Sequence, residues 1–179
     1  LGGGAGGGFG GRRGGRKKAR RGRGGRGQKA VDYGLEWLAK HQSPDGSWDA
    51  DNFEAGKCVD KKCLANSKGG ALNDVGVTGL SLLAFLGAGE SHRSGNYKST
   101  VKGAYRWLRE QQDAEGCFGP KTDKRYTYSH AIASLAMCEL YQMVPQPPIK
   151  RAAQKSIDYV IQCQNPYKAW RYGEQPVDN

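Results

Sequence analysis

The chain has 179 residues and a formal net charge of +11, and this length is enough for one domain with a hydrophobic core. The first 29 residues hold ten lysines or arginines and no acid, whereas the other 150 hold 18 basic and 17 acidic residues. The near-neutral remainder excludes a basic surface spread over the fold, and no stretch reaches the ~20 apolar residues of a membrane-spanning helix.

Residues 1–28 are predicted to form a disordered Gly/Arg-rich tail. They contain 14 glycines and nine basic residues, too little apolar surface to offset the entropy of ordering. The string RGRGGRG resembles an arginine-glycine box, which binds RNA. The alternative is a solvated linker that binds polyanions weakly and without specificity. Because Phe9 is its only aromatic residue, we expect no specific nucleic-acid partner.

Residues 29–179 are predicted to form one all-α domain. Amphipathic and nearly uncharged segments alternate along it, which is typical of a double layer with outer and inner helices. Between the first two helices lies a polar loop that contains Cys58 and Cys63. These two residues are free thiols, half of a metal site, or a disulfide. The predicted helices cover residues 29–41, 75–89, 97–112, 128–143 and 149–164.

One pattern occurs three times in the domain: a helix, a glutamine, a short turn and, six residues after the glutamine, an aromatic residue. The glutamine amide has donors and an acceptor for backbone groups at the helix end, and the aromatic ring packs over it. The third copy departs from the pattern, since Asn-Pro-Tyr-Lys replaces a glycine-containing turn. The pairs are Gln42 with Trp48, Gln112 with Phe118, and Gln164 with Trp170.

This pattern resembles the QW motif of the prenyltransferase and squalene-oxidase repeat family, most closely its bacterial members. The resemblance implies an α/α toroid around an apolar cavity, of which five helices are a part. The resemblance also implies that the missing remainder of the chain packs against these helices as a partner. The expected localisation is either the bacterial cytoplasm or the cell envelope. The implied function is binding or conversion of isoprenoid or lipid-like substrates. The alternative is a non-catalytic helical repeat scaffold for protein interaction at the cell envelope.

The resemblance leaves enzymatic activity undecided, because the acid cluster Asp-x-Asp-Asp of the cyclases does not occur. Asp49 and Asp51 are the nearest match and are interpreted as solvated loop acids. Protein prenyltransferases bind zinc through Asp, Cys and His, and the corresponding candidates here are Cys117, His130 and Glu115. Their spacing is shorter than in those enzymes, so no cofactor is predicted and zinc is the alternative.

Catalytic candidates follow from position in the implied toroid, where the N-termini of inner helices face the mouth of the cavity. Asp74 and Thr78 lie at the start of the second helix, and Tyr128 and His130 lie at the start of the fourth. Each has a structural alternative, such as an N-cap for Asp74 or a backbone hydrogen bond for His130.

Overall fold

The computed structural model describes residues 26–51, 53, 70–123 and 125–170, which contain five α-helices and no strand. This confirms the predicted all-α fold. None of these helices is long and apolar enough to cross a bilayer. Most of the predicted tail, together with Cys58 and Cys63, lies outside the described residues. The helices are α1 (Arg26–Lys40), α2 (Asp74–Gly87), α3 (Lys98–Glu110), α4 (Tyr126–Met143) and α5 (Pro147–Gln162), with a 3-10 turn at Ala71–Asn73.

The bounds differ little from the prediction, and the differences have local causes. α1 begins at Arg26, so the last residues assigned to the tail belong to a helix. α5 begins at Pro147. Proline is favourable in the first turn of a helix, because the backbone N–H groups there have no carbonyl partner within the helix and the missing N–H of proline costs nothing.

The two nearly uncharged helices, α2 and α4, pack against each other at the centre of the described fold. Glycines on α2 allow a close approach: an added Cβ at Gly79 would lie 3.1 Å from the Cα of Ala133. Leu82 and Phe85 of α2 and Met137 of α4 are fully buried. A nearly uncharged helix is stable here because protein covers most of its surface.

The amphipathic helices flank this central pair. α3 packs on α2, α5 packs on α4, and α1 makes a smaller contact with α2. On α3, Val101, Ala104 and Leu108 are fully buried while its charged residues stay exposed. The predicted alternation therefore corresponds to a central pair and flanking helices, whereas the partial toroid stays a prediction.

Candidate functional site

The three glutamine-to-aromatic segments, residues 42–48, 112–118 and 164–170, fold into the same turn. We call them the first, second and third turns. In each, the residue after the glutamine donates its N–H to the carbonyl of the residue before the aromatic, at 2.9 Å. In each, the glutamine Nε2 also donates to a carbonyl four residues on, at 2.9 Å in the first turn, 3.1 Å in the second and 3.0 Å in the third. The repeat in sequence is thus a repeat in structure.

The first two glutamines also join their turn to the next flanking helix. Gln42 Nε2 donates to the Thr100 carbonyl on α3, and Gln112 Nε2 donates to the Ala152 carbonyl on α5, both at 2.9 Å. Among the described residues, the Gln164 amide donates only within its own turn. Two glutamines therefore fasten neighbouring helical units, and the third makes the local bond alone.

Glycine in the first two turns allows this close contact. Gly46 has φ +102°, and a Cβ there would lie 2.5 Å from the backbone of Gly103 on α3. Gly116 has φ +105°, and a Cβ there would overlap the Lys155 carbonyl on α5. The third turn has Lys168 at this place, exposed and with φ 65°. Its left-handed backbone is strained for a residue with a Cβ.

Two of the four catalytic candidates hold the aromatic residue of a turn in place. The backbone N–H of Trp48 donates to Thr78 Oγ1 at 2.9 Å, and the backbone N–H of Phe118 donates to His130 Nδ1 at 3.0 Å. Both acceptors are almost fully buried. Thr78 and His130 are therefore equivalent positions of two repeats, and each has a structural role.

His130 also contacts α5 through its second ring nitrogen. Nε2 lies 3.2 Å from the Ser156 carbonyl and 3.3 Å from the Ser134 hydroxyl. The ring packs edge-on against Tyr159, with 5.0 Å between centroids. Burial lowers the pKa of His130 to about 4, although the Ser156 carbonyl opposes this shift. The imidazole is consequently neutral at physiological pH.

The third catalytic candidate, Asp74, lies in a group of carboxylates. Its Oδ1 accepts the backbone N–H of Ala50 at 2.9 Å, in place of an N-cap bond within α2. Asp49, Asp51 and Asp74 bring one oxygen each within 4.8 Å of the others. The pKa of Asp74 is raised by burial and by the neighbouring carboxylates. Sequence reasoning found Asp49 and Asp51 but not that Asp74 joins them.

The zinc candidates do not assemble into a three-ligand group. Among the described residues, only the three aspartates bring three metal-ligating side chains within 4.8 Å of one another. Cys117 is fully buried, and burial raises the pKa of its thiol to about 12. Glu115 is exposed and pairs with Lys121, while both nitrogens of His130 face hydrogen-bond partners.

The fourth candidate, Tyr128, is 58% exposed and lines two grooves. One groove is polar, has a volume of about 430 Å³, and lies between the 3-10 turn and the start of α4. The other is mostly apolar, has a volume of about 340 Å³, and lies between α4, α5 and the third turn. We call it the apolar groove. It is lined by Thr127, Tyr128, His130, Ala131, Val160, Cys163 and Trp170.

Trp170 distinguishes the third turn from the first. Its indole N–H donates to the Val160 carbonyl at 2.7 Å, just as that of Trp48 donates to the Leu38 carbonyl at 2.9 Å. Trp48 is nevertheless 3% exposed and Trp170 is 54% exposed. The third turn therefore presents an exposed aromatic side chain at the edge of the apolar groove.

No protein-family model matches the sequence, and neither the curated proteins nor the solved structures searched contain a match.

Proposed function

We propose that this chain is a non-catalytic binding module of the QW-repeat type, which holds an isoprenoid or other lipid-like ligand in the apolar groove. The observation that carries the proposal is the groove itself, where Trp170 is held by a hydrogen bond yet half exposed. An exposed aromatic side chain beside an apolar groove is a favourable anchor for an apolar ligand.

The dimensions and lining of the groove support a ligand with an apolar chain and a small polar head. Its volume of about 340 Å³ falls in the lower part of the roughly 300–1,000 Å³ that ligand pockets occupy. Ala131, Val160 and Trp170 contribute apolar surface, and Thr127 and Tyr128 contribute hydroxyl groups. An isoprenoid alcohol has this combination of groups.

The roles of the candidate residues favour binding over catalysis. Thr78 and His130 accept backbone N–H groups of the turns, and Asp74 accepts that of Ala50. A general acid or base needs reach to a substrate proton, and these groups are already used within the fold. The proposal therefore assigns them to stability and leaves ligand contact to the groove.

Equilibrium dialysis with labelled farnesol tests the proposal. We expect saturable binding to the wild-type chain and binding at least tenfold weaker to Trp170→Ala, because truncation removes the aromatic anchor. Trp37→Ala is the matched control, since Trp37 is 44% exposed and lies on α1, away from the groove. Absence of saturable binding, or equal loss in both variants, would contradict the proposal.

A second candidate function, a protein-interaction scaffold at the cell envelope, is favoured by apolar exposure on the central helices. Leu80 of α2 is 55% exposed and Leu135 of α4 is 53% exposed, and a bound partner would remove this apolar surface from water. A photo-crosslinking residue at position 135 tests it: one discrete protein adduct is expected there, and none from exposed position 106 on α3.

A further inference from the structure

His130 lies where three parts of the fold meet. It is 2% exposed and belongs to α4, while its ring contacts Phe118 of the second turn and Ser156 and Tyr159 of α5. The side chain therefore bridges these elements, and its protonation state acts at the bond between the second turn and α4.

The hydrogen bonds fix a neutral tautomer. Nδ1 accepts the backbone N–H of Phe118 at 3.0 Å, which requires its lone pair, so the ring proton is on Nε2. That proton points toward the Ser156 carbonyl, 3.2 Å from Nε2. A second proton must be added at Nδ1, where it would face the Phe118 N–H. Two donors then oppose each other in a buried site, and the bond to the second turn is lost.

The equivalent position of the first repeat carries a side chain that does not titrate. Thr78 accepts the N–H of Trp48 at 2.9 Å, and a threonine hydroxyl does not titrate in the physiological range. The two turns are otherwise fastened alike, by Gln42 and Gln112. Of these two equivalent acceptors, only the imidazole of the second repeat can therefore be lost by protonation.

Within the part of the chain that the structure describes, no neighbouring charge stabilises a protonated His130 by direct contact. On the second turn, Asp113 favours the protonated ring and Lys121 opposes it, and the buried Cys117 thiol stays neutral. Tyr159 of α5 meets the ring edge-on, and its hydroxyl bonds that of Tyr126 at 2.8 Å. The sole titratable residue of α2 is Asp74, which bonds Ala50. On α5, Lys155 and Asp158 are exposed.

We propose that protonation of His130 releases the Phe118 backbone of the second turn from α4, whereas the equivalent bond of the first turn, from Trp48 to Thr78, is kept. The fold thereby contains an acid-sensitive hydrogen bond between the second turn and α4. This bond lies beside the apolar groove, which His130 also lines. The proposal does not rest on ligand binding, since it follows from the hydrogen bonds of the turn.

Amide hydrogen exchange of the wild-type chain between pH 7 and pH 4.5 tests this directly. Below pH 6.5 we expect the protection factor of the Phe118 amide to fall by about tenfold per pH unit, as uptake of one proton dictates. The Trp48 amide should keep its protection and is the internal control. In His130→Thr, which copies the first repeat, both amides should keep it. Parallel loss at both amides, or an unchanged fall in His130→Thr, would overturn the proposal.

A second measurement on the wild-type chain covers the case in which His130→Thr does not fold. Nitrogen NMR of the three imidazoles should show one that carries its proton on Nε2 and stays neutral at pH 5.5. When this imidazole is protonated at lower pH, the chemical shift of the Phe118 amide should change at the same time. An imidazole at this site that protonates without change at Phe118 would overturn the proposal.

Discussion

Replacement of Gln112 by alanine removes the side chain that joins the second turn to α5. Two hydrogen bonds are lost, one to the Gly116 carbonyl at 3.1 Å and one to the Ala152 carbonyl at 2.9 Å. At about 1 kcal/mol for each bond, the free energy of unfolding should fall by roughly 2 kcal/mol. For a domain of this size, that corresponds to a decrease in Tm of about 4–8 °C.

Gln164→Ala is the matched control for this prediction. It removes a glutamine from the same position of the third turn, where the described structure shows only the local bond to Lys168. We expect a loss below about 1 kcal/mol, because one partly exposed hydrogen bond is removed. Thermal unfolding followed by circular dichroism measures both variants. Equal destabilisation by the two substitutions would refute the fastening role of Gln112.

Three further predictions concern the turns, the acids and a thiol. Gly116→Ala should lower the free energy of unfolding in urea by more than about 2 kcal/mol, because the added Cβ overlaps the Lys155 carbonyl. Lys168→Gly should raise the free energy of unfolding. A change of the same sign in both variants would contradict this reasoning. The pKa of Asp51 is raised by its side-chain hydrogen bond with Asp49. Ionisation of Asp51 therefore destabilises the fold as pH rises. Asp51→Asn should raise Tm at pH 7 but not at pH 3. Because burial raises the pKa of Cys117 to about 12, iodoacetamide at pH 8 should modify Cys117 only after unfolding, as peptide mass spectrometry would show.

The five helices, and their division into a buried central pair and amphipathic flanking helices, were predictable from the sequence. Segments without charge, such as Val75–Leu86 within α2, have no face for water, and the prediction of burial follows from that alone. The six-residue offset between Gln42 and Trp48 recurs twice in the sequence, and the three segments have the same turn in the structure. Periodicity and composition are local properties, so one sequence is enough to read them.

The roles of the candidate residues were not predictable in the same way. Position at a helix N-terminus suggested catalysis for Thr78 and His130, whereas both accept a backbone N–H from the preceding turn. A signal was present: these residues lie at matching places in the two uncharged helices, 52 residues apart in number. The carboxylate group brings Asp74 of α2 to Asp49 and Asp51, which are distant from it in the sequence, and local patterns do not encode such a contact.

His130 fastens the second turn through its neutral imidazole, which accepts the Phe118 N–H. Scalar coupling across the hydrogen bond, between the amide nitrogen of Phe118 and Nδ1 of His130, tests it in a nitrogen-labelled wild-type chain at pH 7. The structure, with 3.0 Å between these atoms, predicts a resolved coupling and a proton on Nε2. A proton on Nδ1, with no coupling to Phe118, would contradict the account.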